Sequence, residues 1–170
     1  MRILLITTAD NEVRNTLQKM MSVELTVIDC SIQISLHGKD AKTSFLSELE
    51  AFFTKNDPPD ILLTYRCPFI IPKSIYSRAI IGAYNIHPSL LPEYRGMNPW
   101  DDIFCHRESK TGVTIHQMTE LIDEGPIILQ SSFLIEESDT IETARFKSDQ
   151  LASQLMNPLI IQISCDNIRG

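Results

Sequence analysis

Four short apolar runs, RILLITT, VELTVIDC, DILLTY and AIIGAYNIH, recur through residues 1–87, and their spacing limits the fold more than any other feature of the chain. Each is bounded by polar or turn-forming residues and is too short for a buried helix, so each reads as a buried strand. Amphipathic stretches lie between them. Asp10, Asn11 and Glu12 open a helix-like segment after the first run. Phe45, Leu46, Leu49, Phe52 and Phe53 share one helical face before Pro58 and Pro59 end it. A parallel neighbour is reached only through a crossover, so strands alternating with helices predict a mainly parallel sheet with helices on both faces.

The second half changes rhythm. TGVTIHQM and GPIILQSSFLI are separated by a short polar segment, which predicts a hairpin-like excursion in place of another crossover. Asn98 and Pro99 stand where a helix cap and first turn belong, ahead of Trp100, Ile103 and Phe104. Asp139 and Glu142 read as a capping-box-like start for Ile141, Ala144, Ser148, Leu151 and Leu155 at helical spacing. No repeat or linker divides the chain, and one α/β domain over 1–170 is expected.

Charge and cysteine usage narrow the function. With 22 acidic against 15 basic residues the net charge is -7, a field that repels phosphate backbones and anionic lipid, so nucleic acid is disfavoured as a partner. No run approaches the ~18 apolar residues of a membrane span, and the apolar stretch of MRILLITTAD is too short for a secretory leader. A cytoplasmic protein without a membrane partner is expected. Cys30, Cys67, Cys105 and Cys165 are scattered singly, with no Cys-x-x-Cys pair, and read as reduced, mostly packed thiols.

Strand alternation puts Tyr84 and Ile86 on one face of the fourth run and Asn85 with His87 on the other. Pro88 breaks the run there, and open parallel sheets bind ligands beyond the carboxyl ends of their strands. An isolated Asn-x-His is ordinarily a turn cap beside a satisfied histidine. Here Asp123 lies in LIDEGP, a turn-forming segment from which a carboxylate can fold back onto the imidazole. That pairing is expected to raise the imidazole pKa and fix its tautomer, while the nearby amide can stabilise an oxyanion. The set suits attack on a carbonyl by a nucleophile from outside the protein. Ser89 lacks the Gly-x-Ser-x-Gly turn of an exposed serine nucleophile. His87, His106, His116 and Asp123 lack the i, i+3 or i+4 spacing of a helical ligand pair, so no metal is expected.

NIHPSLLPEYRG followed by TGVTIHQMTELIDEGPIILQ resembles the catalytic core of the folate-dependent formyltransferases, from about Asp60 to about Gln130. That family includes the glycinamide ribonucleotide, methionyl-tRNA and amino-sugar formyltransferases. Its pattern is Asn-x-His-x-Ser-Leu-Leu-Pro, then a Gly-Val-Thr strand and an Asp-x-Gly loop. The resemblance implies a Rossmann-like fold and a catalytic triad of Asn85, His87 and Asp123, with the prolines and leucines shaping the loop beyond it and Gly96 turning sharply. His116 would stand behind Asp123 and help position it. The implied formyl donor is 10-formyltetrahydrofolate, its pterin lying between Phe69, Ile70 and Ile71 on one wall and Glu120, Leu121 and Ile122 on the other. Core packing explains Phe69 to Ile71 equally well from sequence.

Departures from the family shape the acceptor expectation. The first strand-to-helix turn, TTADNEV, has no glycine and places Asp10 and Glu12 where a substrate phosphate would sit, which disfavours glycinamide ribonucleotide. The net charge and the missing second domain disfavour transfer RNA. YRGMNPW is closer to the amino-sugar and methionyl-tRNA branches, leaving a small amine such as an amino-sugar nucleotide as the leading acceptor. The segment between Cys30 and Asp60 is short beside the usual domain, so the acceptor site is either reduced or completed by a partner subunit, a homo-oligomer included. Formyltetrahydrofolate hydrolysis, with water replacing the amine, and a non-catalytic folate- or partner-binding module are the rival readings.

Overall fold

The computed structural model describes residues 1–8, 12–20, 23–30 and 39–169. Among these, β1 (Arg2–Thr7), β2 (Glu24–Asp29), β3 (Ile61–Tyr65), β4 (Gly82–His87), β5 (Lys110–Gln117) and β6 (Ile127–Leu134) form one sheet in the order β2-β1-β3-β4-β5-β6. The first four strands are mutually parallel, whereas β5 runs antiparallel to β4 and β6 antiparallel to β5. The helices are α1 (Glu12–Lys19), α2 (Lys39–Lys55), α3 (Lys73–Tyr76), α4 (Pro99–Cys105), α5 (Ile141–Gln154) and α6 (Met156–Arg169). The Rossmann-like α/β class and the hairpin-like second half are therefore both present.

Alternation along the strands builds two apolar layers. Ile3, Leu5, Ile61, Leu63, Tyr65, Tyr84, Ile86, Val113 and Ile115 bury one face against α1, α5 and α6, through Val13, Leu17, Ala152, Met156 and Leu159. On the other face Leu4, Ile6, Leu62 and Ala83 meet Phe45 and Leu49 of α2 and Ile75 of α3. A third, smaller cluster joins Trp100 and Ile103 of α4 to Ala144 of α5. Every residue of β3 is buried, as a central strand covered on both faces requires.

Three sequence expectations need correction. Residues 79–81 precede the ladder instead of opening β4: Ile80 N and Ile81 N donate to the carbonyls of Pro59 and Asp60, ahead of β3, and the Ile80 side chain is exposed. The cap of α5 is Thr140, not Asp139: Thr143 N donates to Thr140 Oγ1 and Thr140 N to Thr143 Oγ1, a reciprocal box made by two threonines. Asp139 instead accepts from Glu136 N and from Lys147 Nζ. Of the four thiols only Cys30 is buried and Cys67 half-buried, while Cys105 and Cys165 are exposed. Asp10 lies outside the described residues. No helix among the described residues is long and apolar enough to cross a membrane.

Candidate active site

The row that builds the site is set by strand register. Thr64 of β3 stands opposite Asn85 of β4, and Asn85 stands opposite His116 of β5. His87, two residues further along β4, shares their face at the carboxyl end of the parallel half. A bulge between β5 and β6 falls at Ile115/His116, a device that re-aims a side chain where a ladder would otherwise hold it flat.

Asp123 reaches this row from the loop after β5, on a left-handed backbone with φ 54. Its Oδ2 lies 3.5 Å from His87 Nδ1 and accepts from Gly96 N at 2.8 Å. Its Oδ1 lies 3.4 Å from His116 Nε2 and accepts from Asn85 Nδ2 at 3.3 Å. The residues expected as a triad thus converge, and His116 joins them in direct contact, also lying 3.2 Å from Asn85 Nδ2. His116 Nδ1 lies 3.1 Å from the Gln117 carbonyl, so both ring nitrogens have a polar neighbour.

His87 is held at both ends of its ring. Nε2 donates to the Tyr94 carbonyl at 2.8 Å, and Nδ1 faces Asp123. Tyr94 also has a left-handed φ of 55 and Gly96 one of 98, so the loop beyond β4 bends twice to aim a carbonyl at the imidazole and an N–H at the carboxylate. Left-handed non-glycine residues are concentrated where function fixes the backbone. Ser89 is buried and donates to the Glu93 and Tyr94 carbonyls, which makes it a brace of that loop. Thr114, the threonine of Gly-Val-Thr, donates to Ser89 O at 2.7 Å and accepts from Leu91 N at 3.1 Å. Gln130 completes the brace through Leu91 O at 2.9 Å.

Charge states follow from these contacts. Burial lowers the His87 pKa below the ordinary histidine value; the nearby Asp123 charge and the Tyr94 carbonyl pull it upward without overcoming burial. This reverses the expected rise, because the sequence cannot show how completely the ring is covered. Burial acts to raise Asp123, but the His116 hydrogen bond, the His87 charge and the Gly96 N–H outweigh it, and the carboxyl lies below its usual range. No group of three or more His, Cys, Asp or Glu is gathered in a metal-holding arrangement among the described residues.

These groups open onto a cleft of about 400 Å³. Phe69, Ile70 and Ile71 line it, and so do Leu121 and Ile122. Phe69 stacks on Phe45 and Ile71 is buried in the core, so packing and lining coincide there. Ile70, Leu121 and Ile122 are half or more exposed, at 51%, 64% and 50%. Glu120 stands apart from the lining, exposed and paired with Lys73 Nζ at 2.9 Å. The lining also has a polar part, with Tyr65, Arg66, Arg145 and Asp149. Asp149 accepts from Arg66 Nη1 at 3.1 Å and from the buried Tyr65 hydroxyl. Sequence reasoning passed over this polar part and Thr64. The Tyr94 carbonyl and Gly96 N–H have no side-chain signature, whereas Thr64 was detectable as a polar residue inside an apolar strand.

Residues 7–160 match the formyl transferase family. The chain belongs to that family. The match extends on both sides of the stretch in which the motifs are recognisable by eye. This formyl transferase is 42% identical over 110 residues to the methionyl-tRNA formyltransferase of Ehrlichia ruminantium (strain Welgevonden), an alignment covering 65% of this chain and 36% of that protein. To the methionyl-tRNA formyltransferase of Thermotoga maritima it is 31% identical over 116 residues, covering 68% of this chain and 37% of that one. The chain thus matches well under half the length of these relatives. Among solved structures, phosphoribosylglycinamide formyltransferase from Anaplasma phagocytophilum superposes with a TM-score of 0.73 at 19% identity, covering 91% of this chain and 82% of that chain. A formyltetrahydrofolate deformylase from Pseudomonas syringae gives 0.68 at 17% identity, covering 90% and 57%. At these identities the superpositions speak for the fold.

Proposed function

We propose that this formyl transferase moves a formyl group from 10-formyltetrahydrofolate to a primary amine, with Asn85, His87 and Asp123 as its catalytic residues. The observation that carries the reading is the convergence of an amide N–H, an imidazole held neutral by burial and an ionised carboxylate in one cleft with exposed apolar lining. The donor's ring systems, which offer apolar faces and, in the pterin, a polar edge, fit this chain. Ile70, Leu121 and Ile122 face the cleft while exposed to water, and apolar surface left exposed beside a catalytic cluster is what a ligand body covers. Phe69, Ile71 and the backbone of 120–122 would complete that holding surface, with the Glu120 side chain turned to Lys73.

When bound, the donor supplies an N-formyl carbonyl as the electrophile. Asn85 Nδ2 donates toward the oxygen on which negative charge gathers. His87, neutral and with Nε2–H committed to the Tyr94 carbonyl, has its free basic nitrogen at Nδ1. A proton taken from the attacking amine at Nδ1 rests against Asp123 Oδ2 until it passes to the leaving nitrogen. The acceptor occupies the polar part lined by Arg66, Arg145 and Asp149. The relatives' names favour the amine of an aminoacyl group, as in methionyl-tRNA, whereas the amino-sugar expectation rests on the YRGMNPW segment alone. We place the activity in the cytoplasm, in keeping with four free cysteines.

The test is turnover of 10-formyltetrahydrofolate with methionyl-tRNA, an amino-sugar nucleotide, glycinamide ribonucleotide or no amine. His87→Ala and Asp123→Asn should each cost roughly 10²-fold or more in kcat while thermal melts show a folded protein. Turnover near wild type in both variants would make the constellation structural. Equal donor consumption with and without amine would mean hydrolysis.

A further inference from the structure

Thr64 follows the apolar residues Ile61–Leu63 within β3, and it is buried at 3% exposure. A buried hydroxyl needs a partner, and here it is the amide of the catalytic asparagine: Thr64 Oγ1 donates to Asn85 Oδ1 at 2.7 Å. The pairing follows from parallel register, which sets Thr64 beside Asn85 as it sets Asn85 beside His116. A carboxamide can turn about its last bond and exchange its oxygen for its nitrogen at little cost unless both ends are engaged. The nitrogen end donates one N–H to Asp123 Oδ1, an acceptor, which leaves its second N–H for the reacting oxygen. The oxygen end is engaged by Thr64.

We infer that Thr64 is a positioning residue for formyl transfer, its hydroxyl fixing the Asn85 carboxamide so that Nδ2 faces the reacting carbonyl. The inference rests on the formyl-transfer reading above. Thr64 acts through Asn85, so its removal loosens the amide without deleting the donor. Loss of a positioned oxyanion donor costs about 10²–10³-fold, and loosening it is expected to cost about tenfold in kcat.

The experiment compares kcat and donor KM in Thr64→Val, Thr64→Ser, Asn85→Ala and the Thr64→Val/Asn85→Ala pair. Thr111→Val is the control: Thr111 is equally buried, and its Oγ1 has no hydrogen-bond partner among the described residues. Thr64→Val should lower kcat about tenfold with donor KM within about twofold of wild type, and Thr64→Ser should restore kcat. In the Asn85→Ala background Thr64→Val should cost nothing further, because the group it positions is gone. Thr111→Val should turn over like wild type. Wild-type kcat in Thr64→Val, an equal loss in both backgrounds, or a serine variant no better than valine would each overturn the inference. Should the valine variant not fold, Thr64→Ala takes its place in the same cycle. Wild-type turnover in Asn85→Ala would instead remove the formyl-transfer role of Asn85, whatever Thr64 does.

Discussion

His87 is poised between opposing influences, since its two ring nitrogens face acceptors while its surroundings exclude water. Burial prevails, so the ring gains a proton only at pH below the ordinary 6.5. Asp123→Asn removes a charge that pulls His87 upward, so in that variant the ring should titrate at still lower pH. Histidine ring NMR across pH 4–8 checks this, as does the acid limb of kcat/KM. A wild-type His87 titrating above 6.5 would contradict the burial-dominated environment. The same depression links to stability. Just below 6.5 the unfolded chain binds a proton that the fold resists, so acidification destabilises the protein there. Asp123, also depressed, contributes stability above 3.8 that is lost as pH falls through its lower folded value. His87→Asn should abolish the upper window and narrow the lower one, because the His87 charge helps hold Asp123 down.

At the scale of the element, β5 does most of the assembly. Gly112 packs so closely that a methyl group there would meet Ser131 O at 2.1 Å and Leu90 Cδ2 at 2.5 Å. Gly112→Ala should therefore separate β5 from β6 and from the loop that aims the Tyr94 carbonyl, at a cost of about 2–3 kcal/mol in denaturant melts. Gly96→Ala meets nothing within 4 Å and bears only its left-handed φ of 98, a cost of about 1 kcal/mol. A larger loss at Gly96 than at Gly112 would refute this account. Much of this was legible beforehand. Gly-Val-Thr, the prolines and the Asn-x-His alternation marked the elements because side-chain type carries periodicity. The braces were not legible, because Thr114, Ser89 and Gln130 act on carbonyls and N–H groups that the sequence does not distinguish. The threonine cap of α5 was missed for a related reason: Asp139 is an equally good cap by residue type, and only chain direction selects Thr140.

For the molecule as a whole, one cleft is lined by apolar residues, by charged residues and by the Asn85–His87–Asp123 cluster. Leu121→Ser should weaken donor binding about tenfold, the value of roughly half a buried leucine side chain, and leave kcat at saturating donor near wild type. Donor titration beside saturated turnover separates the two. A matching fall in kcat with unchanged affinity would show that the loop sets chemistry instead of binding. That 69–71 and 121–122 line one cleft was legible only through the family motif, since Lys73–Glu120 and the Phe45–Phe69 stack join segments far apart in the chain. The transverse row Thr64, Asn85 and His116 carries an evolutionary consequence. Side chains alternate with period two, so deleting one residue inside β3, β4 or β5 would turn the remaining row members onto the opposite face. Lineages of this chain can change the length of connections other than those that carry Tyr94, Gly96 and Asp123, but within these strands length changes survive only in pairs.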